Sequence, residues 1–226
     1  LEQRGVTLSG DAEALAQLQA QQDNWRAEFT HLLNAHRESI CVVGNAGALQ
    51  GAGCGAEIDS SDLVIRFNRF ATRDRPLEAA AEDVGQKLTV WVCAPGLEPP
   101  YPEELEDVEW VILTGPDIRY QLSHWQNVIP IIQAGKKVLT VPLGIWRVLV
   151  KELEAPPSAG VLCLAWFIEM LGTAEGIQAA GFQRTEQADK SYHFALPRHK
   201  AVKRHNWAGE RRLLAKWESD GLGFLD

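Results

Sequence analysis

Residues that could carry chemistry lie in three separate parts of the sequence. A glycine-rich segment, GNAGALQGAGCG at 44–55, contains Asn45, and Ser158 follows a pair of prolines. Two histidines, His193 and His205, lie closer to the C-terminal end. Glycine turns and helix starts present backbone amides to anions, and a neutral imidazole can remove a proton from a hydroxyl. These residue types predict a site that binds a phosphate-bearing ligand and carries out proton transfer.

The elements that would position these residues follow from the apolar pattern. Short continuous apolar runs predict strands, and apolar residues at helical spacing predict helices between them. The predicted strands are Ile40–Val43, Leu63–Phe67, Leu88–Val92, Trp110–Leu113, Lys137–Val141 and Ile177–Ala180, and the predicted helices include 11–38, 144–154 and 158–171. Apolar strands that alternate with helices predict a single α/β domain, with a mostly parallel sheet flanked by helices.

The glycine-rich turn has competing interpretations. It directly follows the first predicted strand, where α/β sheets bind phosphate-bearing ligands, but such a turn can also serve packing alone. Gly44, Gly47 and Gly51 loosely imitate a dinucleotide fingerprint, although their spacing is not GxGxxG. No tyrosine has a lysine four residues later, so a short-chain dehydrogenase is disfavoured.

Composition and charge narrow the function classes. The chain has 226 residues, 46% of them hydrophobic, which is enough for the core of one large domain. The formal net charge of −8 argues against nucleic acid as a partner, because such affinity comes mainly from neutralising phosphates. The short basic run from Arg198 to Arg204 suits a single anionic ligand instead.

Localisation is predicted from hydropathy and cysteine spacing. No run of about eighteen apolar residues is present, so no transmembrane segment is expected. The four cysteines lie far apart without CxxC spacing, which favours a reducing compartment. We therefore expect a cytoplasmic protein, free or at the inner face of a membrane. A place in the Golgi lumen would follow if an upstream anchor had been removed.

Several stretches resemble, in order, the motifs of one known enzyme family. The segment CVVGNAGALQGAGCGAEIDSSDLVIRFNR, residues 41–69, resembles the large sialylmotif of the sialyltransferases, glycosyltransferase family 29. The tetrapeptide PSAG at 157–160, the apolar helix after it and Gly-Phe at 181–182 resemble the small sialylmotif. Tyr-His-Phe at 192–194 and HNWAGE at 205–210 resemble the two short C-terminal motifs, the second of which is written HxxxxE.

This resemblance covers about residues 40–215 and implies a fold and a reaction. The fold is a GT-A variant, a Rossmann-like glycosyltransferase domain at 39–226 that follows an N-terminal helical segment at 1–38. The reaction is an inverting transfer of a sialic acid from CMP-sialic acid to a glycan hydroxyl, without a metal ion or another cofactor. Two alternatives stay open, namely a Kdo transferase that uses CMP-Kdo and a degenerate member that binds CMP without turnover.

The resemblance also implies roles for individual residues. His193 is implied to lie near the departing phosphate, and His205 to be the base that deprotonates the acceptor hydroxyl. Residues 158–160 are implied to hold the donor near its phosphate and carboxylate, while the two asparagines contact the nucleotide. The complete donor-binding set is Gly44, Asn45, Asn68, Ser158, Ala159 and Gly160.

Each of these residues also has a purely structural interpretation. Ser158 is the expected N-cap of the helix that follows the prolines, and asparagine at position 45 suits a left-handed turn. His205 lies in a polar segment that is typical of a protein surface. Glu210 is expected to orient its helix and not to take part in chemistry.

Three further expectations concern charged neighbours and cysteines. The basic pair Arg66 and Arg69 is expected to serve the nucleotide site, and His199 is expected to be dispensable. Animal members of the family pair a cysteine just before the large motif with one late in the small motif. Leu171 stands at the second of these positions, so that disulfide is not expected here.

Overall fold

The computed structural model describes residues 10–94, 96–99, 101, 103–114, 125–186, 192–196 and 198–225. Its strands are β1 (Ile40–Val43), β2 (Leu63–Phe67), β3 (Val90–Cys93), β4 (Trp110–Leu113), β5 (Lys137–Thr140), β6 (Ile177–Ala180) and β7 (Gly223–Leu225). Its α-helices are α1 (Gly10–Ala35), α2 (Gly55–Ser60), α3 (Ala81–Val84), α4 (Trp125–Gln133), α5 (Leu143–Leu153), α6 (Ala159–Leu171) and α7 (Trp207–Ser219). Short 3₁₀ turns lie at Gly47–Leu49, Glu78–Ala80 and Glu103–Asp107.

All seven strands form one sheet in the order β5-β4-β3-β2-β1-β6-β7, and every pairing in it is parallel. Successive residues of a strand point to opposite faces, so Ile40 and Val42 enter one core while Cys41 and Val43 enter the other. Strands buried on both faces are mostly apolar, which explains the nearly continuous apolar runs of the sequence. The predicted α/β class with a parallel sheet flanked by helices is confirmed.

Helices cover both faces of the sheet. Side chains of α5, α6 and α7 fill one core, and side chains of α2, α3 and α4 fill the other. Helix α1 passes the β5 edge, so Phe29 joins the first core and Leu18 the second. The side-chain amide of Gln22 donates to the carbonyl oxygen of Val138 at 2.7 Å and accepts from the amide of Thr140 at 3.0 Å. These bonds satisfy backbone groups of the edge strand that would otherwise lack partners.

Several element boundaries differ from those predicted, for local reasons. The Thr89 hydroxyl accepts a hydrogen bond from the Val64 amide at 2.7 Å, so β3 begins at Val90 instead of Leu88. A turn closed by the Ser39 amide and the His36 carbonyl, 2.8 Å apart, ends α1 at Ala35 and not at 38. Strand β7 was not predicted, because three residues beginning with glycine give no apolar run. Within the described ranges, no helix is both long enough and apolar enough to cross a membrane.

The strand order reverses beside β1, which lies between β2 and β6. In open α/β sheets, such a reversal leaves a crevice at the carboxyl ends of the two strands, and ligands bind there. Here the crevice is framed by the turns after β1 and β6. The Gly44 amide donates to the Ala180 carbonyl oxygen at 2.7 Å, and the Ala46 amide to that of Gly181 at 3.0 Å. A Cβ atom on Gly44 would lie 2.4 Å from the Gly181 oxygen, so only glycine permits this approach.

Candidate active site

A pocket of about 680 Å³ occupies this crevice. Its walls come from the turns after β1, β2 and β6, from the start of α6, and from the chain between residues 192 and 210. The structure therefore brings together segments that are far apart in the sequence. All eight residues of the predicted site line this pocket: Gly44, Asn45, Asn68, Ser158, Ala159, Gly160, His193 and His205. Their chemical roles stay predictions.

Asn45 lines this crevice and has one buried acceptor atom. Its side-chain nitrogen donates to the Phe67 carbonyl oxygen at 2.8 Å, which fixes the amide plane. Its Oδ1 is buried and has no hydrogen-bond partner among the described residues. Buried polar atoms without a partner are rare in folded proteins because each costs desolvation energy. A ligand with an N–H or O–H donor would satisfy this atom.

Asn68 is the residue that adopts the left-handed conformation expected for Asn45. Its φ is 49°, a region that asparagine tolerates better than most side chains. Its Oδ1 accepts from the Ala94 amide at 2.9 Å, and its backbone oxygen accepts from the Trp91 indole at 3.0 Å. The carbonyl side of the Asn68 amide is therefore used by the protein, which leaves the NH₂ group as the side that suits a ligand.

The start of α6 forms the opposite wall. Ser158 is its N-cap, and the Ser158 hydroxyl accepts from the Val161 amide at 3.4 Å. The Ala159 and Gly160 amides have no hydrogen-bond partner in the described part of the chain, as expected for the first turn of a helix. Gly160 also has a packing role, because a Cβ there would lie 2.7 Å from the Phe182 ring. Unpaired amides and the helix dipole together favour an anion at this position.

His193 is a neutral imidazole held by its own turn. Its Nδ1 accepts from the amides of Ala195 and Leu196, both at 3.1 Å, so the ring proton is on Nε2. The side chain is 6% exposed, and burial, with a smaller contribution from His199, lowers its pKa to about 4. The Phe194 amide donates to the Asn45 carbonyl oxygen at 2.9 Å, which docks this turn against the glycine-rich turn.

His205 has the opposite tautomer. Its Nδ1 lies 2.7 Å from the Pro156 carbonyl oxygen. Because a carbonyl can only accept, Nδ1 carries the proton and Nε2 carries the lone pair. Burial lowers the pKa of His205; Arg204 adds to this decrease, whereas the bond to Pro156 opposes it. A neutral imidazole with a fixed Nδ1–H has the protonation state that a general base requires.

Other aromatic and histidine side chains complete this wall. The Tyr192 ring centroid lies 5.6 Å from that of His199 and 5.4 Å from that of Trp207. The His199 ring is also 5.7 Å from His193, and Trp207 is 5.2 Å from His205. His199 thus lies in the pocket wall, a position that the expectation of a dispensable residue did not include. Tyr192 and Trp207 lie within the two short C-terminal motifs, next to His193 and His205 in the sequence. This position in the sequence could have predicted that they belong to the same wall.

Of the two arginines predicted for the nucleotide site, only Arg69 lines the pocket. Arg66 is 0% exposed and does not line the pocket, which corrects the expectation for this residue. Its guanidinium donates to the carbonyl oxygens of Val84 at 2.7 Å and Lys87 at 2.9 Å, so it supports the loop before β3. Arg69 does line the pocket, and its guanidinium donates to the Glu98 carbonyl oxygen at 2.8 Å.

Two further observations describe the chemistry of the side chains. Within the described ranges, no three His, Cys, Asp or Glu side chains come together in a way that could hold a metal ion. The four cysteines are buried, and none of them is in a disulfide bond.

Comparison with known proteins relates the chain to one enzyme family. A family model described as glycosyltransferase family 29 (sialyltransferase) matches residues 5–222. A beta-galactoside alpha-2,6-sialyltransferase 2 of Xenopus tropicalis is 46% identical over 59 residues, which are 26% of this chain and 10% of that protein. The protein of the same name from Bos taurus is 39% identical over 71 residues, which are 29% of this chain and 13% of that protein.

A solved structure supports the fold alone. The crystal structure of a mammalian sialyltransferase in complex with Gal-beta-1-3GalNAc-ortho-nitrophenol matches with a TM-score of 0.59 at 20% identity. The match covers 82% of this chain and 68% of that chain. The curated relatives are matched over little more than a tenth of their length. The family model, by contrast, spans nearly the whole chain and includes every segment that lines the pocket, so this chain belongs to glycosyltransferase family 29, the sialyltransferase family.

Proposed function

We propose that this chain transfers a sialic acid from CMP-sialic acid to a glycan hydroxyl, with inversion and without a metal ion. The observation that carries the proposal is the composition of the pocket at the strand reversal. It combines an unsatisfied acceptor on Asn45, the unpaired amides of Ala159 and Gly160, and a histidine whose lone pair is on Nε2. These groups suit a nucleotide, an anion and a hydroxyl, in that order.

Donor binding is assigned to the two turns and the start of α6. Cytosine and ribose offer N–H and O–H donors for the Asn45 oxygen and acceptors for the Asn68 amide nitrogen. A CMP-sugar carries one phosphate and, in sialic acid, one carboxylate. Helix-start amides can carry such charge without a metal ion, because they are already oriented when the ligand arrives.

Transfer itself requires one proton movement and one displacement. Nε2 of His205 takes the proton of the acceptor hydroxyl, whose oxygen forms a bond to the anomeric carbon as the bond from that carbon to the phosphate oxygen breaks. CMP departs with the electron pair, and attack on the opposite face inverts the centre. His193 has a pKa of about 4, so near neutral pH its imidazole is neutral and brings no positive charge to the departing phosphate.

The acceptor class is proposed from the names of the relatives. Two matched proteins are named for a beta-galactoside, and a third, from Mus musculus, for an N-acetyl-neuraminyl-2,3-beta-galactosyl chain. The third protein is 39% identical over 56 residues, which are 25% of this chain and 14% of that protein. β-Galactosides are therefore the first acceptors to test.

CMP binding tests the nucleotide part of this proposal. We expect CMP, but not NAD, to raise the melting temperature, since a ligand that binds only the native state stabilises it. Asn45→Ala should weaken CMP binding about tenfold through loss of a buried hydrogen bond. Asn34→Ala is the matched control, because Asn34 is an exposed residue of α1. A shift with NAD and none with CMP would contradict the proposal.

A further inference from the structure

Glu210 is a charged side chain buried in the wall of the pocket. It is 4% exposed and lies in the first turn of α7. Its Oε1 accepts from the backbone amide of Ser158 at 2.6 Å, a contact that joins residues 52 positions apart. Burial raises the pKa of Glu210, while hydrogen bonding to Ser158 opposes that rise. An acidic side chain beside a predicted anion site needs a reason, because its ionised form would repel the ligand.

The contact decides which groups at the start of α6 can meet a ligand. Glu210 occupies the Ser158 amide, and the Ser158 hydroxyl oxygen accepts from the Val161 amide. The Ser158 amide is therefore not available to an anion. The amides of Ala159 and Gly160, which have no partner in the described part of the chain, are the donors that the helix start presents.

The same stretch of chain also carries His205. Asn206 donates from Nδ2 to the Leu153 carbonyl oxygen at 2.9 Å, and His205 contacts the Pro156 carbonyl oxygen at 2.7 Å. With the contact from Glu210, three side chains from residues 205–210 hold the connection between α5 and α6. His205 and the start of α6 are thus linked through a few hydrogen bonds.

We propose that Glu210 is a positioning residue of the transfer reaction. Through its hydrogen bond with the Ser158 amide, Glu210 fixes the position of the start of α6. The Ala159 and Gly160 amides then face the donor at a fixed position relative to His205. Glu210 has no contact with the reacting atoms in this role. A carboxylate oxygen accepts a stronger hydrogen bond from a backbone amide than the amide oxygen of glutamine does. This inference rests on the proposed function, since the groups that it positions are those assigned to donor and acceptor.

The test compares Glu210→Ala and Glu210→Gln with wild type, using the full chain, CMP-sialic acid and a β-galactoside acceptor. Glu210→Ala should raise the Kd for CMP about tenfold and lower kcat up to about 10²-fold, because small misplacements of reacting groups are costly. Glu210→Gln keeps an oxygen at the Oε1 position, so kcat/KM should stay within about fivefold of wild type. Glu218→Ala is the control on the same helix, because Glu218 forms a surface ion pair with Arg184, and it should change neither value.

Amide hydrogen exchange provides a readout that does not depend on activity. The Ser158 amide should exchange at least about tenfold faster in Glu210→Ala than in wild type, while Glu210→Gln and Glu218→Ala keep it protected. If wild type fails to bind CMP but this exchange pattern holds, the proposed function fails and the contact stands. Unchanged Ser158 exchange in Glu210→Ala would overturn the inference. So would a Glu210→Gln variant that keeps Ser158 protected and yet loses transfer fully, because the carboxylate would then act in the chemistry itself.

Discussion

At the scale of single residues, the two site histidines differ in which nitrogen is used by the protein. Nδ1 of His193 accepts two backbone amides, whereas Nδ1 of His205 meets a backbone carbonyl. His193 therefore has its proton on Nε2, and His205 has its lone pair there. The sequence places both histidines in the same basic region and cannot separate them chemically. These protonation states fit the roles proposed above, with His205 as the base and His193 beside the departing phosphate.

Replacement of His205 tests the base. We expect His205→Ala to lower transfer by about 10²–10⁴-fold, the range typical of general base catalysis, with CMP binding changed little because the residue serves the acceptor. Steady-state transfer and CMP titration measure the two effects. His36→Ala is the control, since His36 is a half-buried histidine that pairs with Asp62 and does not line the pocket. Full activity of His205→Ala would show that the base lies elsewhere, and His199 would be examined first.

The pH dependence of kcat follows from the same environments. Burial lowers the pKa of His205 below its ordinary value of about 6.5, so the neutral base persists into mildly acidic solution. The rate should therefore fall as the pH decreases through a midpoint below about 6.5 and should be level above it. His193, with a pKa of about 4, should add no second decrease until the pH is much lower. A midpoint clearly above 6.5 in the pH profile would contradict this assignment.

At the scale of secondary-structure elements, the sequence predicts where most strands lie but not the order in which they pair. Strands β1, β2, β4 and β6 lie at the predicted residues, because a strand buried on both faces leaves a continuous apolar run. The strand order and the position of β7 depend on pairing between distant segments, which no local pattern encodes. The same holds for the site. Motif order indicated which segments meet, but not that Glu210 bonds Ser158 or that Arg66 faces away from the pocket.

Because the turns after β1 and β6 lie so close together, we expect that replacing Gly44 destabilises the fold. Gly44→Ala would place a Cβ 2.4 Å from the Gly181 oxygen, so one turn must move. We expect a loss of about 1–3 kcal/mol in unfolding free energy, seen as a melting temperature lower by about 2–4 °C per kcal/mol, together with weaker CMP binding.

Gly144→Ala is the matched control for this change. Gly144 lies in α5 with nothing within 4 Å of an added Cβ, so alanine should be neutral or stabilising by up to about 1 kcal/mol. Equal melting temperatures for Gly44→Ala and wild type would show that the two turns do not pack as described.

At the scale of the whole molecule, charge is distributed unevenly. The chain carries a formal net charge of −8, yet residues 198–204 contain four Lys or Arg and no acidic residue. This segment lies at the pocket, since His199, Val202 and Arg204 are among its lining residues. Lys200 and Lys203 are exposed. Such a local positive field would attract a donor that carries a phosphate and a carboxylate, against the repulsion of the rest of the surface.

Charge reversal tests this field. We expect Lys200→Glu combined with Lys203→Glu to lower kcat/KM for CMP-sialic acid about tenfold at low ionic strength. The difference should nearly vanish in 1 M salt, where the screening length is about 3 Å. Lys151→Glu combined with Lys216→Glu makes the same change in net charge on exposed residues of α5 and α7, and it should have little effect. Equal losses in the two double variants would mean that total charge matters and position does not.

The measurement that bears most directly on the proposed function is transfer from a panel of activated sugars in the presence of EDTA. The protein is incubated with CMP-sialic acid, CMP-Kdo or UDP-galactose and with β-galactoside acceptors, and both released CMP and glycosylated product are quantified. We predict sialylated product from CMP-sialic acid in EDTA, at a rate that His205→Ala lowers at least about 10²-fold. Product from CMP-Kdo alone, activity that appears only when manganese or magnesium is added, or CMP binding without any turnover would contradict the proposed transfer of sialic acid.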